Sequence, residues 1–208
     1  LEFRRVLFRS GITQAEQAKA ISDMGADYLG TIVYEKSPRH VPYEALEALL
    51  PSIPVSKRIL VDVAPSVERL QRCWALGYHA AQLHFDPETA CELVPQWSKL
   101  VGKGNLWLVP RIKPEADFPE YLFDYADTFV IDTYKKGAFG GTGETGGWER
   151  FKTWKAKYPN KRFILAGGLN PENLQAAIAA TGTTHVDLNS GFETSPGIKD
   201  LEKVRGVF

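Results

Sequence analysis

Two stretches near the C-terminus, A-G-G-L-N (166–170) and D-L-N-S-G (187–191), each end a short apolar run in glycine-bearing loops. Glycine has no Cβ, so Gly167, Gly168 and Gly191, with Ser190, can bring bare backbone N–H groups against an anion. A helix N-terminus following each loop would add its partial positive charge. One such loop is as readily a tight turn, but two at successive strand ends point to a bound phosphate. A third glycine-rich loop, K-K-G-A-F-G-G-T-G-E-T (135–145), adds Gly143 to the candidate phosphate set. Asp132 closes the apolar run before that loop, where desolvation would push a carboxyl toward use as a general acid. A lone aspartate more often caps a helix or pairs with a cation. Arg39, after Ser37-Pro38, could clamp a carboxylate or phosphate or simply be solvated. His84, in Q-L-H (82–84), could move a proton or donate a hydrogen bond. The four histidines are scattered without ligand spacing, which argues against a metal site.

These residues fall at the ends of short apolar runs rich in β-branched or aromatic residues, as strands buried on both faces should be. The runs are 28–33, 57–62, 80–84, 106–111, 128–132, 162–166 and 185–188. Amphipathic helices are predicted over Thr13–Met24, Ser66–Leu76, Pro87–Trp97 and Pro171–Ala180. The first carries Thr13 and Glu16 as a capping box. Gly25 and Gly77 sit just past helix ends, where a left-handed residue is needed. Strand starts recur roughly every 22–35 residues, about one βα unit. With a strand before Gly11 the units make eight. An open doubly wound sheet shares this alternation. The regularity, and the polar residues at so many strand ends, favour a single (β/α)8 TIM barrel spanning residues 1–208.

Composition narrows the partners. The 208 residues are 44% hydrophobic and 24% charged, the balance of one soluble globular domain. Lys plus Arg equals Asp plus Glu at 25 each, so the chain lacks the positive field that nucleic acid or a membrane surface requires. No window approaches the roughly 18 apolar residues that span a bilayer. The two cysteines and the lack of a signal-like apolar stretch suit a reducing cytoplasm. A phosphorylated small molecule is the expected partner.

The motifs G-I-T (11–13), G-A-D-Y-L-G (25–30), S-P-R (37–39) and Q-L-H (82–84) resemble those of phosphoribosylanthranilate isomerases. So do the loop from Asp132 to Thr145, F-I-L-A-G-G-L-N-P-E-N (163–173) and V-D-L-N-S-G-F-E-T-S-P-G-I-K-D (186–200). The resemblance implies a TIM barrel that carries out an Amadori rearrangement in tryptophan biosynthesis without a cofactor, as a monomer or homodimer. Asp132 matches the family's general acid. Arg39 and Asp187 match residues that position the anthranilate end, with His84 beside them. Gly143, Gly167, Gly168, Ser190 and Gly191 fall in the loops that hold the phosphate.

The sequence departs from the family where the base should stand. A cysteine immediately precedes G-I-T in the family, and here that position is Ser10. A serine hydroxyl ionises far less readily than a thiol, whose ordinary pKa is about 8.5. The segment L-E-F-R-R-V-L-F-R-S also lacks the family's apolar first strand. Glu2-Phe3 is what a common restriction site encodes, and the following residues resemble a translated sequencing adapter. Residues 1–10 are therefore expected to be an artefact of cloning or sequence assembly in place of the native strand. Phe85 and Asn189 are smaller departures, expected to reshape the mouth of the site. Two other readings compete: a different sugar-phosphate barrel, such as a ribulose-phosphate epimerase or indole-glycerol-phosphate synthase relative, and a catalytically impaired barrel that only binds a phosphorylated ligand.

Overall fold

Strands buried on both faces must be covered on both faces, and here the two apolar surfaces are separate. In the computed structural model, which describes residues 6–132 and 146–208, eight parallel strands close into a barrel. They are β1 (Val6–Arg9), β2 (Tyr28–Ile32), β3 (Arg58–Val63), β4 (Ala80–Phe85), β5 (Leu106–Pro110), β6 (Thr128–Asp132), β7 (Arg162–Ala166) and β8 (His185–Leu188). Alternate residues such as Ile32, Val61, Trp107, Val109, Val130 and Ile164 fill the barrel interior. Their neighbours, among them Leu29, Leu60, Leu83, Leu108, Phe129 and Leu165, pack outward under the helices. The period of two along each strand makes this division.

The helices are α1 (Ala15–Asp23), α2 (Tyr43–Leu49), α3 (Val67–Trp74), α4 (Pro87–Ala90), α5 (Val94–Val101), α6 (Gly146–Lys157), α7 (Leu174–Thr181) and α8 (Leu201–Arg205). A short antiparallel hairpin, β9 (Glu193–Ser195) and β10 (Ile198–Lys199), follows β8. Gly25 and Gly77 have φ of +108° and +82°, the left-handed conformation expected past the helix ends.

The first strand closes the barrel through its backbone. Val6–Arg9 pairs with His185–Leu188, and Phe8 and Arg9 pair with Tyr28 and Leu29. A ladder uses N–H and C=O groups that every non-proline residue carries, so a segment unlike the family's can still occupy this slot.

Three expected helices differ in detail. Thr13 does not cap α1, whose N-cap Gln14 makes no side-chain cap. The Thr13 hydroxyl instead donates to the Gly197 carbonyl at 2.6 Å, tying the start of α1 to the β9–β10 turn. The helix expected over Pro87–Trp97 breaks into α4, a 3₁₀ turn at Cys91–Leu93 and α5. Pro95 lacks the N–H that a continuous helix would use, and it starts α5 instead. At 171–173 the Asn170 side chain accepts the N–H groups of Glu172 and Asn173, so α7 begins only at Leu174.

Between β5 and β6 a 3₁₀ segment, Glu120–Asp124, takes the place of a barrel helix. Phe118 supplies the missing apolar cover. Its ring lies 5.1 Å from Phe129, 5.2 Å from Phe123, 5.3 Å from Trp154 and 5.5 Å from Phe163, mostly edge-to-face. Among the described residues no helix is long and apolar enough to cross a membrane. Phe118→Ala should cost about 3–5 kcal/mol, because the surrounding rings cannot collapse into the void. Urea unfolding would read this as a lower midpoint with an unchanged slope.

Candidate active site

The C-terminal ends of the strands surround a cavity of about 480 Å³, within the usual range for a small-molecule site. Ser10, Arg39, His84, Asp132, Gly167, Gly168, Asp187 and Ser190 all line it. With Tyr34, Lys36, Asp62, Gln82 and Asn189, which also line it, residues from seven separated stretches of chain meet at one mouth. Gly143 lies outside the described residues.

Gly191 does not line the cavity but holds together the two glycine-bearing loops that follow β7 and β8. A Cβ there would stand 2.2 Å from the Leu169 carbonyl oxygen and 2.7 Å from Asn170 Cβ. The loop after β8 can press against the loop after β7 only because this residue is glycine. Gly167 and Gly168, with φ of +93° and +62°, turn the β7 loop in conformations that side chains resist.

Ser10 ends the first strand's run and faces Asp187 across the mouth. Its hydroxyl donates to the two carboxylate oxygens at 3.1 and 3.3 Å, and both residues are buried. Asp132 stands at the end of β6, paired in register with Ala166. His84 and Gln82 point into the barrel from β4. The Gln82 side-chain amide and His84 Nε2 form a hydrogen bond of 3.0 Å. Burial lowers the His84 pKa to about 4, so the ring is neutral at physiological pH and serves as a hydrogen-bonding group.

Arg39 is held firmly. Its Nε donates to both oxygens of Glu193 at 2.9 and 3.0 Å, and Nη2 donates to Oε2 at 2.6 Å. Lys199 Nζ, fully buried, contacts Glu193 Oε1 and Asn189 Oδ1, each at 2.8 Å. Burial alone would raise the Glu193 carboxyl, but the bonds from Arg39 and the Lys199 charge hold it below its ordinary value. Desolvation lowers Lys199 to about 8 against the pull of Glu193. Glu193 and Lys199 escape inspection of the sequence because six residues apart they read as an ordinary solvated pair. Their signal was present in E-T-S-P-G-I-K, where a Pro-Gly turn folds one back beside the other.

Three other positions need correction or addition. Phe85 does not reshape the mouth, since it faces outward and meets Trp97 edge-on at 5.7 Å. Asn189 does reach the cavity and anchors Lys199. Asp62, unnoticed in the sequence as an apolar-strand residue, lines the cavity edge and binds Arg69 Nε at 3.0 Å. Its burial raises its pKa to about 6, although a bond from the Val63 N–H and the Arg69 charge oppose the rise.

This layout matches a known group. The sequence pattern of the family described as N-(5'-phosphoribosyl)anthranilate (PRA) isomerase matches residues 8–208. The chain belongs to the phosphoribosylanthranilate isomerase family. It is 36% identical to the N-(5'-phosphoribosyl)anthranilate isomerase of Synechococcus elongatus, over 95% of this chain and 92% of that one. The phosphoribosylanthranilate isomerase of Thermotoga maritima superposes with a TM-score of 0.81 at 28% identity, covering 97% of this chain and 96% of the other. A phosphoribosylanthranilate isomerase in complex with reduced 1-(o-carboxyphenylamino)-1-deoxyribulose 5-phosphate superposes at 0.75 and 26% identity, covering 97% and 95%. Membership of this phosphoribosylanthranilate isomerase family also brings the (β/α)8 barrel seen here.

The two perturbed groups at the mouth act oppositely on stability. His84 has a folded pKa below its unfolded one, so the stability it contributes is lost as pH falls from about 6.5 toward 4. Asp62 has a folded pKa above its unfolded one, so it adds stability as pH falls from about 6 toward 3.8. His84→Asn should therefore flatten the acid-side loss of stability relative to the unaltered protein, and Asp62→Asn should steepen it. Urea unfolding of the three proteins between pH 7 and 4.5 checks both signs.

Proposed function

We propose that this chain is a cytoplasmic phosphoribosylanthranilate isomerase, one (β/α)8 domain working as a monomer or homodimer in tryptophan biosynthesis. It rearranges N-(5-phosphoribosyl)anthranilate to 1-(2-carboxyphenylamino)-1-deoxyribulose 5-phosphate. The observation that carries the reading is the convergence of an acid, a bidentate-held arginine, an aspartate-bound Ser10 and two interlocked glycine loops on one cavity. In this reading the loops of Gly167, Gly168, Ser190 and Gly191, with Gly143, take the phosphate through backbone N–H groups. Arg39 takes the anthranilate carboxylate. Asp187 and His84 flank the reacting sugar.

The chemistry needs one proton delivered and one removed. Asp132 protonates the ribose ring oxygen, the C1–O bond breaks, and the nitrogen lone pair forms a Schiff base. A base then takes the C2 proton, and the resulting enolamine tautomerises to the ketone. The family's base is a thiol at the position of Ser10. Its thiolate is accessible near neutral pH, whereas the Ser10 alkoxide is not, and donating to the Asp187 carboxylate makes ionisation harder still. The chain as it stands is thus a poor isomerase. The same residue favours a second reading, a barrel that binds the phosphorylated ligand without turning it over.

Ser10→Cys should raise turnover of phosphoribosylanthranilate by about 100-fold or more, and adding Asp132→Asn should remove most of that gain. A folded Ser10→Cys form with no turnover would overturn the assigned reaction or the base. If thermal shift then still shows stabilisation by the reduced product analogue, the binding reading stands. We further propose that residues 1–10 replace a native strand ending in cysteine. Sequencing the genomic locus should return that cysteine codon, and a serine codon there would refute the replacement.

A further inference from the structure

An arginine that clamps a carboxylate faces two problems, and the cluster behind Arg39 addresses both. Its long side chain loses rotamer freedom when it binds, which weakens affinity unless the freedom is already gone. Glu193 removes it with three hydrogen bonds to the guanidinium. The stem is confined as well, since a Cβ on Gly11 would stand 2.7 Å from Arg39 Cδ. A carboxylate partner, however, offsets the charge that the arginine should offer to a ligand. Lys199 answers this second problem. Its ammonium shares Glu193 with Arg39, so one anion sits between two cations. The Lys199 side chain has no solvent-exposed surface and does not line the cavity. It can act on a ligand only through Glu193 and through Asn189 at the end of β8.

We infer that Glu193 and Lys199 are positioning residues that fix Arg39, and preserve its charge, for the carboxylate end of the substrate. The inference rests on the assignment of Arg39 to that end. The charged groups facing Lys199 are Glu193 and Arg39, with Asp187 across the β8 end. With its pKa near 8, Lys199 is charged at neutral pH and loses its proton above it. Glu193 then draws on Arg39 alone, and the carboxylate grip weakens as pH rises through about 8.

The test needs no turnover, so it uses the protein with Ser10 in place. Calorimetry gives Kd for two probes, reduced 1-(o-carboxyphenylamino)-1-deoxyribulose 5-phosphate and its counterpart without the carboxyl group. The ratio of the two is the preference for the carboxylate. Glu193→Gln, which keeps the shape of the side chain, and Lys199→Met should each reduce that preference about 10-fold or more. Neither should change affinity for the carboxyl-free probe by more than about twofold. In an Arg39→Met background Glu193→Gln should have no further effect. The unaltered protein should lose its preference as pH rises through about 8, and Lys199→Met should show a low, flat profile. Equal weakening of both probes would mean a merely structural role and overturn the inference, as would a preference untouched by Glu193→Gln. Should Lys199→Met not fold, Glu193→Gln and the pH profile decide. If Arg39→Met itself leaves the preference intact, the assignment of Arg39 fails first and the inference falls with it.

Discussion

A parallel sheet of eight strands has two exposed edges unless it closes on itself, and closure here depends on four residues. Val6–Arg9 bridges β8 and β2 by backbone pairing, leaving neither edge open. Everything at the mouth inherits its position from that closure. Ser10 directly follows β1, and its hydroxyl reaches Asp187 only because β1 and β8 are neighbours in register. Arg39, the β9–β10 hairpin and Asn189 likewise meet around Gly11, the next residue along.

The same closure separates two kinds of demand on the sequence. Backbone pairing tolerates almost any non-proline side chain, so an atypical first strand can complete the sheet. Chemistry at the strand ends tolerates much less. An oxygen in place of a sulfur at position 10 exchanges a group that ionises near neutral pH for one that does not. Under the proposed role of that position, fold and activity part company at a single atom.

Burial governs the electrostatics around the cavity. Burial favours the neutral form of His84, and burial likewise makes Asp62 hold its proton more tightly. Lys199 and Glu193 remain an ion pair in a buried setting because each has further polar partners, Asn189 for one and Arg39 for the other. A pair of this kind is costly to break from one side, since the remaining charge is stranded. That cost is what lets it hold a third group still.

Much of the fold was legible in the chain. Runs such as 128–132, 162–166 and 185–188 became strands with those bounds, because short apolar stretches buried on both faces have few other uses. Asp132, Arg39 and the glycines stood out because their residue types at strand ends carry recognisable chemistry. Local competition was harder to see: Pro95 splitting a helix, Thr13 bonding Gly197 in place of its own helix, and Asn170 delaying α7. The Arg39–Glu193–Lys199 cluster was only partly legible: the Pro-Gly turn in E-T-S-P-G-I-K folds Glu193 back beside Lys199, but it does not tell whether the two charges face water or Arg39. Only the packing of the hairpin against the β2 loop buries them, and in that dry setting two surface-like charges become a fixed framework for a third. Local propensity and residue chemistry act over a few neighbours, whereas desolvation is a property of the assembled barrel.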